Sequence, residues 1–549
     1  MASFKSYINW RRKSFHPLVL VVIAVVAIFV LHNSTFWTIW TDVFTGSKIR
    51  GLIFALALLL LCSGLVSVFA IKYILKPFIA ALLILSSVTS FYMDQLGVII
   101  DREMIQNVVT TTLMEGKHLV TRSFLIWVGL SGILPAALVL SLKIDHPKIF
   151  YSILQNIGFF VFCILGTIIL VATDIKGNSS VLRIRIDLKS SFQPLAPITE
   201  SFLYLAMITR SANLEFNEIG SDATLSSNFK NQKKPNLTVV VVGETARSQS
   251  FSLGNYSRPT NSELTNKDII YYDNVSACGT STAVSLPCMF SKLDRANYSY
   301  EAGSSQENVL DVIQRAGYAV EWIDNNTGDK GLADRAIYTQ VTYADDAKFC
   351  GEGECIDGIL VQEVEKRLPK IKNNTLLVLH QIGSHGPSYY LRYPREFEKF
   401  KPACKTSNFF DCTREEIVNA YDNSIAYTDK VIADLISLLQ KQDQINTSMM
   451  YISDHGESLG ENGLFLHGTP YFMAPEEQTK VPMILWLSEN YKSMTSIKTA
   501  CLKTKSTQEY SHANFFHSLL AMTGVQTVEY KPSLDIFNNC GNDDNVQKD

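Results

Sequence analysis

Five long apolar runs lie before residue 175, and they constrain the fold of this chain more than any other feature. The first four are Pro17 to Leu31, Gly51 to Ile71, Pro77 to Met93 and Phe124 to Leu142, and the fifth is Ile149 to Ala172. A helix needs about 17 to 25 mostly apolar residues to cross a bilayer core, and each run is close to that length, the first being the shortest. A mean hydropathy of +0.10 is also high for a purely soluble protein. The sequence therefore predicts an N-terminal five-helix transmembrane domain over residues 1–172.

Basic residues predict the orientation of these spans. They precede the first run and occupy alternate loops, as Arg11, Arg12, Lys13, Lys72, Lys76, Lys143 and Lys148. The positive-inside rule then places the N-terminus in the cytoplasm and everything after about residue 173 on the opposite side. A cleavable signal peptide is the alternative for the first run, although its flanks lack a clear small-residue cleavage site.

The remaining chain divides into three parts. An extramembrane loop at about residues 94–122 has mixed apolar and polar spacing, which permits short helices lying on the membrane surface. Residues 173–235 are polar and irregular, and are predicted to form a bridging linker with some helix. Residues 236–549 are predicted to form a soluble domain.

Cysteine usage fits that topology. Eight of the ten cysteines lie outside the predicted spans, as Cys278, Cys288, Cys350, Cys355, Cys404, Cys412, Cys501 and Cys540. An even number beyond the membrane fits an oxidising compartment and up to four disulfides. Proximity suggests the pairs 278–288, 350–355 and 404–412, with 501–540 by elimination, although many other connectivities are open. A cysteine zinc site is disfavoured because no CxxC pair occurs.

Short apolar runs after residue 236 alternate with helical patterns, which predicts an α/β sandwich. The runs are Leu237 to Glu244, Thr375 to Gly383, Thr447 to Asp454 and Val481 to Ser488. They resemble buried strands of a parallel sheet, whose ligands collect beyond the carboxyl ends of the strands.

Metal-binding residue types stand at these predicted strand ends. Glu244, Asp454 and His455 are ligand types for a divalent metal, and the histidine favours zinc over calcium or magnesium. Each residue alone has an ordinary alternative, as a helix N-terminal charge or a loop residue. A metal beside a hydroxyl lowers its pKa, which suggests phosphoryl transfer.

The stretch "ACGTSTAVSLPCMFS" is the natural source of that hydroxyl, because two cysteines bracket it. Its hydroxyl residues are Thr280, Ser281, Thr282 and Ser285. The residues alone leave open which of the four attacks.

Further polar clusters are candidates for substrate contact. His385 and His467 are each flanked by glycine, and Asn326 and Lys330 lie in one polar loop. Structural histidines and a solvated loop charge are the alternatives. The net charge of −3, without a long basic run outside the N-terminal cluster, argues against a nucleic-acid partner.

Four motifs together carry a resemblance that covers essentially the whole chain. "GETARS", "CGTSTAVSLPCMFS", "HQIGSHGP" and "SDHGESLGENGLFLHG", in this order behind five spans, resemble the lipid A phosphoethanolamine transferases, which include the mobile colistin-resistance enzymes. The resemblance implies an α/β/α sandwich of the alkaline phosphatase/sulfatase type in the bacterial periplasm, tethered to the inner membrane. It also implies that Thr282 is the nucleophile and that Glu244, Thr282, Asp454 and His455 bind zinc.

The resemblance extends to predicted substrate contacts. These are Asn326, Lys330, His385, His467, Asn107 and Glu115, with the two histidines associated with substrate or a second zinc. Asn107 and Glu115 resemble family positions near the donor headgroup. In one departure, Asp329 and Ala333 stand where relatives often carry two cysteines around Lys330.

The function implied is transfer of phosphoethanolamine from phosphatidylethanolamine to a phosphate of lipid A through a phosphothreonine-type intermediate. A cationic amine on lipid A should weaken binding of polymyxins. The expected enzyme is a monomer in the lipid bilayer with one zinc ion, the presence of a second being left open. The alternatives are a sister transferase acting on core sugar or glucan, a phosphoglycerol transferase, and a non-catalytic metal-binding membrane sensor. A sulfatase is disfavoured, because no Cys/Ser-x-Pro-x-Arg sequence surrounds Thr282.

Overall fold

The chain forms two compact units. The computed structural model describes residues 14–342, 346, 348–351 and 353–541, with the backbone alone at residues 114 and 115. The helical unit consists of Met1–Ile105 and Val120–Leu203, and the sheet unit consists of Gln106–Leu119 and Tyr204–Asp549. The predicted boundaries at residues 172 and 236 stay predictions.

Four helices in the described part of the helical unit are long and apolar enough to cross a membrane. They are Lys48–Ser67, Leu75–Leu96, Arg122–Ser141 and Ile149–Ala172. Their apolar side chains are widely exposed, such as Phe162 at 65%, which suits a helix surrounded by lipid. The chain is therefore a multi-pass membrane protein.

The first predicted span is a helix with the predicted bounds, and a second short helix follows it after a sharp bend. A helix over Pro17–Leu31 is followed by a second over Ser34–Val43, and the pair, bent by 73°, makes a fifth span only if it counts as one. Asn33 lies at this break, where its side chain donates to the Ile28 carbonyl at 3.0 Å and accepts from the Gln193 amide at 2.8 Å. The basic residues 11–13 lie outside the described residues, so the orientation stays a prediction.

Short helices occupy the extramembrane loop and the bridging segment. The loop contains Arg102–Thr110 and Leu113–Gly116, followed by a 3-10 turn over Lys117–Leu119. The bridging segment contains Ile175–Ile184, Ile186–Ser190, Leu195–Ser211 and Ser227–Lys230. A surface position for the loop helices stays a prediction.

An eight-stranded sheet forms the core of the sheet unit. In chain order its strands are β1 (Asn236–Gly243), β2 (Ile270–Ser276), β3 (Ala319–Asp324), β4 (Ile337–Gln340), β5 (Thr375–His380), β6 (Asn446–Ser453), β7 (Lys480–Leu487) and β8 (Tyr510–Ser511). Their spatial order is β8-β2-β7-β6-β1-β5-β3-β4. The four predicted strands are present as β1, β5, β6 and β7. All eight residues of β1 and of β6 are buried, as expected for apolar strands covered on both faces.

The expectation of a parallel sheet is wrong for β7. This strand runs antiparallel to both of its neighbours, β6 and β2, whereas β1, β5, β3 and β4 pair in parallel and β6 is parallel to β1. Two neighbouring parallel strands must be joined by a crossover that brings the chain back to the opposite end of the sheet, usually through a helix of several turns. The chain between β6 and β7 contains a pair of two-residue strands, short turns and the four-residue helix Glu476–Thr479, but no helix of several turns, so β7 starts at the end of the sheet where β6 stops. Apolar content indicates that a strand is buried, not its direction.

Helices cover the sheet and give it an α/β sandwich. The longer ones are Thr282–Phe290, Val309–Arg315, Gly358–Arg367, Arg414–Gln440, Glu489–Thr495, Thr499–Lys505 and Ala513–Thr523, with a short helix at Tyr300–Ser304. The 27-residue helix begins at a capping box, in which Thr413 accepts from the Glu416 amide and Glu416 accepts from the Thr413 amide. Small strand pairs join Thr224–Leu225 to Val525–Gln526, Cys350–Gly351 to Glu354–Cys355, and Ser458–Leu459 to Phe465–Leu466.

Four disulfides join the cysteines of the sheet unit in the predicted pairs. The bonds are Cys278–Cys288, Cys350–Cys355, Cys404–Cys412 and Cys501–Cys540. The first closes the hydroxyl-rich loop, and the second closes the tight hairpin that ends at Cys355. Cys62 and Cys163 are buried and free within the helical unit.

Candidate active site

The carboxyl ends of three neighbouring parallel strands meet at one edge of the sheet. Val242 of β1 lies opposite His380 of β5, and Gly243 lies opposite Ser453 of β6. Glu244 and Asp454 are the next residues along β1 and β6. The predicted ligands therefore converge because their strands are adjacent and in register.

A tight turn after β5 packs against Glu244. Gly383 has φ +53°, and a Cβ there would lie 2.5 Å from the Glu244 carbonyl oxygen, so the position requires glycine. Asp357 accepts hydrogen bonds from the amides of Ile382 and Gly383, each at 2.9 Å, and holds this turn. Burial raises the pKa of Asp357. Sequence analysis missed this residue, which acts through backbone amides far along the chain.

Glu244, Asp454 and His455 form a buried cluster of metal-ligand type. One ligand atom from each lies within 4.8 Å of the others, and the three residues are at most 1% exposed. Asp454 Oδ1 accepts from the amides of Thr245 and His455, but its Oδ2 is buried with no hydrogen-bond partner. Burial raises the pKa of Asp454, because a charged carboxylate is costly away from water.

The imidazole of His455 completes this cluster. Its Nδ1 donates to the Gly456 carbonyl at 2.9 Å, which leaves the lone pair on Nε2. That Nε2 lies 3.3 Å from Asp454 Oδ2 and 3.4 Å from Glu244 Oε1. Burial, with a smaller contribution from His467, lowers the pKa of His455 and keeps the ring neutral. An unpaired carboxylate oxygen and an imidazole lone pair facing one point are a donor set that fits a divalent cation.

Thr282 is the hydroxyl residue that reaches this cluster. Its Oγ1 donates to the Glu244 carboxylate at 3.1 to 3.2 Å and lies 3.3 Å from His455 Nε2. Thr282 is also the first residue of the helix Thr282–Phe290, whose N-terminus favours an approaching anion. The geometry therefore distinguishes Thr282 within a loop where the sequence left four candidates.

Two of the other three hydroxyls of the loop, those of Thr280 and Ser285, make structural hydrogen bonds. Thr280 donates to the Thr469 carbonyl at 2.7 Å. Ser285 donates to the Asp454 carbonyl and accepts from the Gly279 amide at 3.2 Å. Ser281 precedes the helix as its N-cap residue. Ser285 thus joins the hydroxyl-rich loop directly to Asp454, the residue that carries the unpaired carboxylate oxygen.

His512 is a second link between this loop and β6 that sequence analysis missed. Its Nδ1 accepts from the Cys278 amide at 3.1 Å, and its Nε2 donates to the Ser453 carbonyl at 3.0 Å. Burial lowers the pKa of His512 to about 4, so the ring is neutral and can both accept and donate. Its distance in sequence from both partners leaves no local signal.

Asn326 supports Glu244 from the end of β3. Its Nδ2 donates to Glu244 Oε2 and to the Gln381 carbonyl, each at 2.8 Å. Its amide donates to Asp324 Oδ1 at 2.8 Å. Burial would raise the pKa of Asp324, but its contacts with His380, with Trp322 and with the Asn326 amide together outweigh burial and lower that pKa to about 2. Asn326, predicted to contact substrate, is thus placed to orient a candidate metal ligand.

Lys330 lies in the same loop and bonds within it. Its Nζ donates to the carbonyl and hydroxyl oxygens of Thr327, each at 2.9 Å. Asp329 Oδ2 accepts from the Ala333 amide at 2.6 Å. The side chain of Asp329 is therefore joined by a hydrogen bond to the backbone of Ala333, on the other side of Lys330.

His385 and His467 stand beside the cluster. The ring of His467 is centred 4.4 Å from that of His455 and 5.5 Å from that of His385. Glu457 fixes His467, accepting from its Nδ1 at 2.9 Å, and is itself bonded by the Tyr389 hydroxyl at 2.6 Å. The three histidines thus line one side of the site.

Of the two residues predicted near the donor headgroup, the structure describes the side chain of Asn107 alone. Asn107 is half-buried in the helix Arg102–Thr110, and its carbonyl accepts from the Thr111 hydroxyl at 2.7 Å. The side chain of Glu115 lies outside the described residues.

A cavity of about 440 Å³ adjoins the cluster. Asn326 and His385 belong to its lining, which also includes Thr112, Glu354 and Arg392. Because Asn326 contacts Glu244, this space opens next to the candidate metal ligands. Its polar and charged lining suits a small charged group.

Comparisons with known proteins agree with this architecture. A family model described as Sulfatase matches residues 236–525, and one described as Phosphoethanolamine transferase EptA/EptB matches residues 55–207. Phosphoethanolamine transferase EptA of Escherichia coli K12 is 41% identical over 471 residues, 85% of each chain. Phosphatidylethanolamine transferase Mcr-1 of Escherichia coli is 35% identical over 87% of this chain and 91% of that protein.

A solved structure matches the whole architecture. The integral membrane protein lipooligosaccharide phosphoethanolamine transferase A (EptA) from Neisseria meningitidis superimposes with a TM-score of 0.91 at 31% identity. The match covers 96% of this chain and 100% of that one. The fold is thus an apolar helical domain followed by a soluble domain of the alkaline phosphatase/sulfatase type, as predicted.

Proposed function

This chain belongs to the EptA family of phosphoethanolamine transferases, and we propose that it transfers phosphoethanolamine from phosphatidylethanolamine to a phosphate of lipid A. The observation that carries the proposal is the position of Thr282 Oγ1, within 3.3 Å of both the Glu244 carboxylate and His455 Nε2. A hydroxyl held against a buried ligand set is the arrangement that phosphoryl transfer needs.

We propose zinc as the metal of this site. Glu244, Asp454 and His455 offer two carboxylates and an imidazole, a set that zinc accepts readily, and Thr282 offers a fourth ligand atom. When bound, zinc would lower the pKa of the threonine hydroxyl and neutralise charge on the phosphoryl oxygens. The unpaired Oδ2 of Asp454 supports a cation here, because an isolated buried carboxylate oxygen is otherwise costly.

In the first half-reaction, Thr282 Oγ1 forms a bond to phosphorus of the donor. The bond from phosphorus to the diacylglycerol oxygen breaks, and diacylglycerol leaves with the proton that the threonine loses. Glu244 and His455 hold Oγ1 in line for attack, and the helix N-terminus at Thr282 stabilises the negative phosphoryl group. Phosphoethanolamine is then covalently attached to Thr282.

In the second half-reaction, a phosphate oxygen of lipid A attacks the same phosphorus and the bond to Thr282 breaks. The threonine oxygen takes up the proton that the attacking phosphate monoester of lipid A gives up, and His467, fixed by its bond to Glu457 beside His455, assists that transfer. The product carries a cationic amine on a formerly anionic phosphate, which should weaken the binding of polymyxins such as colistin.

We extend the proposal to the cellular location and the oligomeric state of the protein. Alternate basic loops and four disulfides fit a bacterial inner-membrane protein whose sheet unit lies in the oxidising periplasm. We propose a monomer, because Thr282 and the three candidate ligands come from one chain.

Mass spectrometry of lipid A tests this function. Cells expressing the wild type, Thr282→Ala or the control Thr280→Ala are compared, together with diacylglycerol release from labelled phosphatidylethanolamine. Thr280 is a matched control, because its hydroxyl lies in the same loop but donates to the Thr469 carbonyl. We expect phosphoethanolamine on lipid A with the wild type and the control, and none with Thr282→Ala.

Three results would contradict parts of the proposal. Unmodified lipid A despite diacylglycerol release by the wild type would refute lipid A as the acceptor and favour a core-sugar or glucan acceptor. Modified lipid A with Thr282→Ala would refute the nucleophile. Release of diacylglycerol from phosphatidylglycerol but not from phosphatidylethanolamine would favour a phosphoglycerol transferase.

A further inference from the structure

The segment Gln106–Leu119 is attached to the rest of the sheet unit next to the nucleophile. Gln106 is 5% exposed, and its Nε2 donates to the carbonyl of Ala283 at 3.1 Å. Ala283 directly follows Thr282 in the first turn of its helix. One end of the segment is therefore fastened to the turn that carries the proposed nucleophile.

The other end of the segment is attached through His118 to a partly buried polar cluster. His118 Nε2 lies 3.3 Å from both carboxylate oxygens of Glu354, and the two side chains are 10% and 13% exposed. Glu354 also accepts from Arg392 Nη1 at 2.9 Å, and Arg392 Nε donates to the carbonyl of His385 at 2.9 Å. A chain of contacts thus runs from His118 to the backbone of His385.

Between these two attachments the segment borders the cavity beside the active site. Thr112 lines that cavity of about 440 Å³, together with Asn326, Glu354 and His385. The segment is therefore one wall of the cavity, and it is held at both ends by side chains that donate to groups around the active site.

We propose that Gln106 and His118 are positioning residues that clamp the segment Gln106–Leu119 as a wall of the donor cavity. The inference rests on the proposed function, since the cavity would receive the headgroup of the donor lipid. A wall that is ordered before binding has already lost its conformational freedom, so the free energy of donor binding is not reduced by the entropy of ordering it. Loosening either clamp should weaken donor binding and leave the chemistry at Thr282 largely intact.

Two variants remove the clamps, and two others serve as controls. Gln106→Met keeps the side-chain length but removes the donor to Ala283. His118→Ala removes the contact with Glu354, and His118→Gln restores an N–H donor there. Thr110→Val is the matched control, because the Thr110 hydroxyl bonds only to carbonyls of its own helix among the contacts described, at 3.0 and 3.2 Å.

The full chain in nanodiscs containing phosphatidylethanolamine is measured in two ways. Initial rates of diacylglycerol release at varied donor content separate KM from kcat, and amide hydrogen exchange follows residues 106–119. We expect Gln106→Met and His118→Ala to raise the donor KM roughly fivefold to tenfold, the scale of one lost hydrogen bond, with kcat within about twofold. Exchange in the segment should become faster, His118→Gln should restore both values, and Thr110→Val should match the wild type.

Other outcomes overturn the clamp. An unchanged KM with unchanged exchange would show that the two contacts do not hold the segment. If kcat and the unfolding temperature both fell and His118→Gln did not restore them, the contacts would only stabilise the fold and would not position the cavity wall. If the wild type released no diacylglycerol, the proposed function would fail, while exchange rates equal to the wild type in both clamp variants would still refute the clamp.

Discussion

Replacing Asn326 by alanine should weaken zinc binding, although Asn326 is not itself a candidate ligand. Its Nδ2 donates to Glu244 Oε2 at 2.8 Å and to the Gln381 carbonyl at 2.8 Å, so it fixes the carboxylate relative to β5. A hydrogen bond to a charged group contributes roughly 1.5 to 3 kcal/mol. At about 1.4 kcal/mol for each factor of ten, the zinc dissociation constant should rise roughly tenfold to a hundredfold.

A competition titration measures this effect. The full chain in detergent is stripped of metal and titrated with zinc in the presence of a chromophoric chelator. Asn297→Ala is the matched control, because its Nδ2 also donates to a carboxylate at 2.8 Å, that of Asp294, but in an exposed loop. The control should bind zinc as the wild type does, and Glu244→Ala should bind it much more weakly than Asn326→Ala.

An unchanged dissociation constant in Asn326→Ala would refute the reasoning, provided that the variant has the unfolding temperature of the wild type. If Glu244→Ala weakened binding in the same experiment, the carboxylate would be a ligand that needs no orientation from β3. If neither variant changed the affinity, zinc would bind elsewhere and the ligand set itself would be wrong.

Three further predictions concern stability. Ser285→Ala should lower the free energy of unfolding by about 1 to 3 kcal/mol, because it leaves buried backbone groups unpaired; thermal unfolding checks this, and an unchanged midpoint would contradict it. Replacing Cys278 and Cys288 together by serine should cost about 2 to 4 kcal/mol, and equal midpoints in the oxidised proteins would refute it. Burial raises the pKa of Asp535 to about 6 from 3.8, so the folded state holds the proton of this carboxyl more tightly than the unfolded state does. The free energy of unfolding of the wild type, relative to that of Asp535→Asn, should therefore fall by up to about 3 kcal/mol as the pH rises from about 4 to about 6. A midpoint difference between wild type and Asp535→Asn that is independent of pH would sink this last prediction.

Sequence analysis located the candidate ligands because they stand at the ends of recognisable strands. Glu244 and Asp454 each directly follow a run of apolar residues, and adjacency of those strands in a parallel sheet brings them together. The direction of β7 was not predictable in this way, because burial makes strands apolar whichever way they run. The helix Ser34–Val43 and the 73° bend before it were also not predicted, because the polar residues 32–35 end the apolar run and hydropathy carries no information on angles.

The residues that support the site could not be predicted from the sequence, for a different reason. Asp357 and His512 bond to backbone amides and carbonyls, and a backbone group leaves no residue type for a sequence pattern to match. Their partners are also remote, since His512 lies 234 residues from Cys278. Such contacts are specified by the fold as a whole and become visible only when the chain is folded.

The choice of Thr282 among four hydroxyls shows how these supports contribute to chemistry. Thr280 and Ser285 use their hydroxyls to bind backbone carbonyls, one of them that of Asp454, so the loop is fixed to the strand that carries a candidate ligand. A hydroxyl engaged in this way loses position and bonding if it reacts, whereas Thr282 points its oxygen at Glu244 and His455. Ser285 therefore fixes the loop to the strand end that carries a candidate ligand, and because nucleophilic catalysis depends on placement to within about half an ångström, Ser285→Ala should reduce transfer even where Thr282 remains.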